Sequence, residues 1–350
     1  MSAQDNTFHG WVCNGKGQPL EWRELSLKKF EDDDLEIDVT HCGICGSDIH
    51  TLDSGWGSTN YPCVVGHEIV GVVTKLGKNV TEFKVGDRVG IGAQCDSCGE
   101  CHECKNGHEN ICRTGMTTTY DGRWKCGDKT YGGYADKWRG NKNFVFKIPD
   151  DMSNELASTF FCAGVTTYWP LKNHGVNEQS HIGVIGLGGL GHFTVMWAKA
   201  MGAKVTVFSS SDRKREDAFV LGADDYVVSS DSEAVLARDR QLSHLVCTSF
   251  GNNFDWLQFL SMLEPNGVFI MAANPETPLS NIPAGILLMR QISIVGTAIG
   301  SPKTIRKMLE FAAEKNVKPW IEKYPMEKVV DAIQDLRDNK ARYRYVLQRN

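Results

Sequence analysis

The hydrophobic and polar positions change rhythm near the middle of the chain. Up to about residue 150 the apolar positions come in short alternating runs broken by glycine, as in "LEIDVTHCGI", "EIVGVVTKLG" and "GDRVGIGA". Alternation with a period of two marks half-buried strands, so a mostly-β domain is predicted there. From about residue 155 the runs become continuous. "HIGVI" is a buried apolar strand, "GLGGLGHFTVMWAKAMG" a glycine turn opening a helix, and "AKVTVFSSS" a second strand. "DYVVSS", "HLVCTS", "GVFIMAA" and "ISIVGTA" continue the series between helical stretches. Strands alternating with helices predict a doubly wound parallel sheet, so the fold class is α/β. The tail "YPMEKVVDAIQDLRDNKARYRYVLQRN" reads as a helix and a final strand. No internal repeat and no low-complexity segment interrupts this pattern.

Length agrees with two domains, because 350 residues exceed the ~250–300 that one hydrophobic core supports. Composition, at 41% hydrophobic and 23% charged, is that of a folded globular chain, and a net charge of −5 offers no general attraction to nucleic acid or anionic membrane. No apolar stretch approaches the ~18 residues of a membrane span. "MSAQDNTFHGW" lacks the basic-then-apolar order of a leader, and "VLQRN" matches no targeting tag. Twelve cysteines, five of them between 95 and 112, indicate metal binding in a reducing compartment rather than a disulfide scaffold. A cytoplasmic location is the expectation.

The densest chemistry is "CGECHECKNGHENIC", where Cys98, Cys101, Cys104 and Cys112 follow C-x2-C-x2-C-x7-C. Four thiolates on one short lobe can close a tetrahedral shell around zinc and leave no open position, which makes such a site structural. An iron–sulfur site is the rival metal reading, although no cluster motif is matched to its end. Cys95 could compete for a place, but including it would strand Cys112. His102 and His108 are expected to be solvated. A nucleic-acid-binding zinc ribbon would want basic and aromatic neighbours, and this lobe is acidic.

Three further segments supply ligand types. "CGICGSDIH" holds Cys42, Cys45, Ser47, Asp48 and His50; "VVGHEIVG" holds His67 and Glu68; "FCAGVTTYWP" holds Cys162. Each alone is weak. Together Cys45, His67 and Cys162 make the Cys2His set of a catalytic zinc, which keeps a fourth position open. The glycine turn, residues 186 to 191, stands between a strand and a helix. Gly186 permits the tight turn, Gly188 lets a pyrophosphate approach, and Gly191 allows close helix packing. Leu187, Gly189 and Leu190 complete the turn, whose helix N-terminus points unpaired N–H groups at an anion. Where a sheet that binds NAD carries an acid about 20 residues on, this one carries Ser209, then Ser210, Ser211, Arg213 and Lys214. Hydroxyls and cations suit a 2′-phosphate, favouring NADP. Asp212 opposes this unless it caps the following helix; Arg215 reads as part of an exposed charged turn.

With these motifs in order from 42 to 192, the sequence resembles the zinc-dependent alcohol dehydrogenases of the medium-chain dehydrogenase/reductase superfamily, and within them the NADP-dependent cinnamyl alcohol dehydrogenase-like branch. Alcohol dehydrogenase is itself the standard example of a Cys2His catalytic zinc. The resemblance implies a GroES-like, mostly-β catalytic domain over residues 1–153 and 297–350, and a Rossmann NADP-binding domain over 154–296. It implies two zincs per chain: a catalytic one on Cys45, His67 and Cys162, with Glu68 able to enter the shell, and a structural one on Cys98, Cys101, Cys104 and Cys112. Cys42 is then not a ligand. Ser47 and His50 become a proton relay through the cofactor ribose, Asp48 a support for His67, and Thr166 and Thr297 join the cofactor-binding residues. Trp56, Thr117, Ala298 and Ile299 would line the substrate pocket, with Trp56 equally readable as core.

The implied activity is NADPH-dependent interconversion of bulky or aromatic, cinnamyl-type aldehydes with primary alcohols. The expected partners are a small aldehyde or alcohol, with no nucleic acid and no membrane. A homodimer is expected, with "ISIVGTA" edges pairing across a two-fold axis. Rivals are a polyol dehydrogenase, which Cys162 argues against, a 1,4-reductase of enals, which Ser47 and His50 argue against, and a non-catalytic zinc- and cofactor-binding protein.

Overall fold

The computed structural model describes residues 6–251 and 254–349, so the first five residues of the N-terminal stretch and the last residue of the tail lie outside it. The chain divides into two compact units, one made of residues 1–165 and 299–350 and the other of 166–298. In chain order the first unit contributes β1 (Thr7–Cys13), β2 (Leu20–Ser26), β3 (Asp34–Gly43), β4 (Glu68–Leu76), β5 (Arg88–Ile91), β6 (Gln94–Asp96), β7 (Thr117–Thr118), β8 (Lys137–Asn141) and β9 (Val145–Lys147). The second contributes β10 (His181–Ile185), β11 (Lys204–Ser209), β12 (Asp225–Val228), β13 (Leu242–Cys247), β14 (Leu263–Met271) and β15 (Ser293–Gly296). The chain then returns to the first unit for β16 (Ile321–Pro325) and β17 (Arg344–Gln348).

In the first unit the main sheet runs β16-β17-β3-β4-β5-β9, with β8 also on β3. It is antiparallel except for the β16–β17 pair. Its core gathers Leu35, Ile37, Val39, Ile69, Val73, Val89 and Ile91, all fully buried. One register matters for the chemistry: Gly43 of β3 stands opposite both Glu68 of β4 and Val346 of β17. Three distant segments therefore meet at one end of this sheet. No helix among the described residues is long and apolar enough to cross a membrane.

The second unit is one parallel sheet in the order β12-β11-β10-β13-β14-β15. Counted within the unit, that is the 3-2-1-4-5-6 order of the doubly wound dinucleotide folds, whose ligands bind where the order reverses, here between β10 and β13. Parallel strands are buried on both faces, which explains their continuous apolar runs: Val205, Val207 and Phe208 on β11 and Leu245, Val246 and Cys247 on β13 are fully buried. Thus the α/β class, with a mostly-β unit and a Rossmann sheet, is what the chain adopts.

Candidate metal centres and nucleotide-binding turn

Both cysteine groups converge. The ligand atoms of Cys45, His67, Glu68 and Cys162 lie within 4.8 Å of one another, and so do those of Cys98, Cys101, Cys104 and Cys112. In the lobe, Cys98 Sγ is 3.9 Å from Cys104 Sγ and 3.4 Å from Cys112 Sγ, and Cys101 Sγ is 3.9 Å from Cys112 Sγ. Thiolates bound at ~2.3 Å to a tetrahedral zinc stand roughly 3.8 Å apart, so the four sulfurs fit that shell. The backbone N–H groups of Glu100 and Cys101 donate to Cys98 Sγ and that of Cys104 to Cys101 Sγ. The first two bring Cys98 down to about 6, a thiolate at neutral pH. Cys95 is not part of the shell: it is fully buried and its thiol donates to the carbonyls of Thr117 and Thr118.

The other cluster is built from three kinds of element. Cys45 caps the short helix Gly46–Leu52 at the end of β3. His67 and Glu68 open β4. Cys162 sits in a π-helical turn, Phe160–Gly164. Such a one-residue widening re-aims a side chain and often marks a functional site. It is held against β5 because glycine leaves room: a Cβ on Gly90 would fall 2.0 Å from the Phe161 ring. Cys45 Sγ and Cys162 Sγ are 3.9 Å apart, and His67 Nε2 is 3.1 Å from Cys162 Sγ.

Asp48, fully buried, organises the rest. Its Oδ1 accepts from Gly66 N–H at 3.1 Å and faces His67 Nδ1 at 2.9 Å. Its Oδ2 accepts from Cys45 N–H at 2.9 Å and from the Tyr134 hydroxyl at 3.0 Å. A carboxylate at Nδ1 fixes that nitrogen as the donor and turns Nε2 toward the cluster. Burial works against a charge on His67, but the Asp48 carboxylate and then Cys45 hold it well above the usual histidine range. Cys45 is driven well below the ordinary thiol range, first by the hydrogen bond from Cys162 and then by His67 and Arg344.

Glu68 is fully buried, and burial pushes its carboxyl up to about 7 against the pull of Arg344. The guanidinium of Arg344, from β17, donates to Oε1. Oε2 has no hydrogen-bond partner, although it is buried among two thiols and an imidazole. An orphaned carboxylate oxygen beside Cys, Cys and His is a donor set with soft, borderline and hard ligands on one point, and zinc accepts all three. Gly43 makes room for it, since a Cβ there would lie 1.9 Å from Oε2. No motif in the sequence pointed to Arg344, nor to Tyr134 and Tyr120, the last with its ring 5.4 Å from that of His67.

Cys42 stays apart from the metal cluster. It is fully buried against Gly66 and Gly133, its thiol raised by burial. Ser47 and His50 share the Gly46–Leu52 helix, both half-buried, and Ser47 Oγ stands 3.7 Å from Cys45 Sγ. Trp56 is 44% exposed and stacks on His50 with centroids 4.5 Å apart, so it is not a core residue. Thr117 is half-buried on β7.

In the second unit the glycine turn follows β10. Gly186 has φ +87°, and Thr248 Oγ1, beyond the end of β13, donates to the Ile185 and Gly186 carbonyls. A Cβ on Gly191 would stand 1.9 Å from Gly186 O, so the turn closes only with glycine there. Gly188 caps the helix Gly189–Ala200, and a Cβ on it would meet nothing within 4 Å, leaving open space where a pyrophosphate is expected. Leu187 is buried, and its carbonyl accepts from Lys214 Nζ at 2.7 Å. Leu190 is half-buried in the first turn of the helix. Ser209 ends β11, Ser210 is exposed, and Arg213 Nε reaches Ser211 Oγ at 3.4 Å. Asp212 does not cap the following helix, the alternative its position offered. Its Oδ1 instead accepts from Arg215 Nε at 2.6 Å, and Arg215 lies over the Tyr226 ring and donates to Tyr226 O, so that arginine is a local strut. Thr166 is buried, and Thr297 Oγ1 is buried without a partner. Ala298 is exposed and Ile299 half-buried.

These features define a zinc-binding dehydrogenase. Residues 31–150 match the alcohol dehydrogenase GroES-like domain, and residues 189–314 match the zinc-binding dehydrogenase domain. The chain is 39% identical to 8-hydroxygeraniol dehydrogenase of Catharanthus roseus, over 97% of its own length and 94% of that protein. It is also 39% identical to NADP-dependent alcohol dehydrogenase C 1 of Mycolicibacterium smegmatis, over 98% of each. A solved cinnamyl alcohol dehydrogenase from Sorghum bicolor superposes with a TM-score of 0.94 at 38% identity, covering 98% of this chain and 97% of that one. The chain belongs to the zinc-dependent alcohol dehydrogenase family, in its cinnamyl alcohol dehydrogenase-like branch, and is an oxidoreductase.

Proposed function

We propose that this enzyme reduces bulky or aromatic aldehydes to primary alcohols with NADPH, the first unit serving as catalytic domain and the second as nucleotide-binding domain. The observation that carries the cofactor choice is the end of β11. Ser209 stands where a carboxylate would hold two ribose hydroxyls, while Ser210, Ser211, Arg213 and Lys214 follow. The acid that could have opposed a phosphate, Asp212, is engaged by Arg215. Relatives named for cinnamyl alcohol and NADP support the same reading. The substrate class rests on those names.

Cys45, His67 and Cys162 would hold the catalytic zinc, with Glu68 at hand, and bound there it supplies Lewis acidity to the carbonyl oxygen. Cys98, Cys101, Cys104 and Cys112 would hold a second, closed zinc. Ser47 and His50, three residues apart on one helix, lie on the same side of it and carry the proton between substrate oxygen and solvent. Trp56, stacked on His50, restricts the imidazole to one orientation. The test is kcat/KM for a panel of aldehydes with NADPH and NADH. Ser209→Asp sets a charge against the phosphate and removes a hydrogen bond. Charge-assisted bonds contribute ~1.5–3 kcal/mol, so the preference for NADPH should fall at least about tenfold. Equal use of both cofactors by the wild type refutes the assignment.

A further inference from the structure

Cys13 and Cys63 belong to neither metal cluster and to no role described above. Cys13 closes β1, and Cys63 begins the strip that leads through Val64, Val65 and Gly66 to His67. They form an isolated antiparallel bridge in which each backbone N–H donates to the other's carbonyl, at 2.8 and 2.9 Å. Such a reciprocally bonded pair sets its Cα atoms about 5.5 Å apart, inside the ~4.4–6.8 Å span of disulfides. Cys13 Sγ lies 3.2 Å from Gly15 O, and its interaction with Cys63 across the bridge brings Cys13 down to about 7 and raises Cys63. At neutral pH Cys13 is thus a partial thiolate, the nucleophilic form, with Cys63 across the backbone bridge.

We propose that Cys13 and Cys63 are an oxidation site for hydroperoxides, forming a reversible cross-strand disulfide that disturbs the segment carrying His67. The Cys13 thiolate attacks the peroxide and the O–O bond breaks; one oxygen stays on sulfur as a sulfenic acid, and the other leaves as hydroxide and takes back the proton that Cys13 had released, giving water. Cys63 sulfur then attacks Cys13 sulfur; the S–O bond breaks, and the hydroxide leaves with the Cys63 proton as a second water. Two thiols and one hydrogen peroxide give one disulfide and two waters. Both side chains are 2% exposed, but Cys13 adjoins the open turn of residues 14–19.

The coupling to chemistry is geometric. Bonding draws the sulfurs to about 2.05 Å, and the Cys63–Gly66 strip has little slack to absorb the movement. The carbonyls of Val64, Val65 and Gly66 accept from Gly132, Tyr134 and Gly133 N–H at 2.8, 3.0 and 2.8 Å. A Cβ on Gly132 would sit 2.4 Å from Gly66 O. Tyr134 in turn holds Asp48, the partner of His67, and its carbonyl accepts from Trp11 of β1 at 2.8 Å.

The experiment treats the zinc-loaded enzyme with hydrogen peroxide, alkylates the remaining thiols and maps peptides by mass spectrometry without reduction. A peptide linking Cys13 to Cys63 should appear. Dehydrogenase activity should fall about tenfold, the scale of a sub-ångström displacement of catalytic groups. A chromogenic indicator should detect no zinc release, and dithiothreitol should restore the activity. Cys13→Ala and Cys63→Ala should keep their starting activity through the same treatment, and the wild-type peptide map decides the question if either variant folds poorly. The proposal is overturned if no linked peptide forms, if the linked enzyme is fully active, or if both variants lose activity as the wild type does.

Discussion

Four donors converge on the Asp48 carboxylate, and two of them come from residues that carry metal-ligand side chains. Asn at this position presents one acceptor oxygen, and its NH2 would face two donors. Asp48→Asn should therefore weaken zinc at the Cys45–His67–Cys162 centre by ~10–100-fold, while zinc on the four-cysteine lobe holds. Competition with a chelator, followed as two separate phases, measures this; equal affinities in variant and wild type would show that Asp48 is only packing. At this scale the two clusters of cysteine, histidine and glutamate were readable in the chain, because metal chemistry restricts both residue type and local spacing. Arg344 was not. Its partner Glu68 lies 276 positions away, and no local pattern around "ARYRYV" distinguishes it from any other strand arginine. Only the shared register of β17, β3 and β4 brings it there. Asp212 failed for the opposite reason: a capping signal was present, and the neighbouring Arg215 outcompeted the helix N-terminus for the carboxylate.

Strands were the most legible elements, since alternation in the first unit and continuous apolar runs in the second follow directly from how many faces are buried. The π-helical turn at Cys162 was invisible, because one added residue inside the apolar run "TFFCAG" alters no periodicity. Two predictions belong to elements of the parallel sheet. His181 on β10, His244 on β13 and nearby His174 are all lowered by burial below their ordinary value of 6.5. Unfolding lets each take up a proton more readily, so their stabilisation is complete above pH 6.5 and is lost as pH falls through the lowered values. The free energy of unfolding should fall on acidification from pH 6.5, by at most about 1.4 kcal/mol per pH unit for each proton, and the unfolding temperature with it. His244→Gln should flatten that slope in calorimetry; an unchanged slope would mean His244 takes up no extra proton on unfolding. The second concerns β15, which is the edge of its sheet, with Leu288 and Met289 of the helix Ala284–Arg290 strongly exposed beside it in sequence. A bare edge with apolar neighbours invites pairing. Light scattering at micromolar concentration should report a dimer, and a monomer would remove the edge-pairing model.

For the molecule as a whole, two separate ligand sets predict two zincs per chain by elemental analysis. Their losses should differ in kind. Cys104→Ser opens a closed shell whose metal contributes to folding, so it should lower the unfolding temperature and release one zinc. Cys45→Ser should abolish turnover while largely sparing the fold. One zinc in fully active protein would contradict this division. The two-unit plan was legible as a change of rhythm, whereas the return of the chain to the first sheet is a fact of topology that no local window contains. That return also sets a timetable. A ribosome adds ~5–20 residues each second, so Glu68 emerges well before Arg344 is made, and the whole 166–298 unit is synthesised in between. From the synthesis of Cys162 until that of Arg344, Cys45, His67 and Cys162 are all present, and Glu68 has no guanidinium on Oε1. The nascent chain thus holds Glu68 with both carboxylate oxygens unengaged by arginine, and the last strand to be added is the one that ties down Oε1 and leaves Oε2 beside the cysteines and histidine.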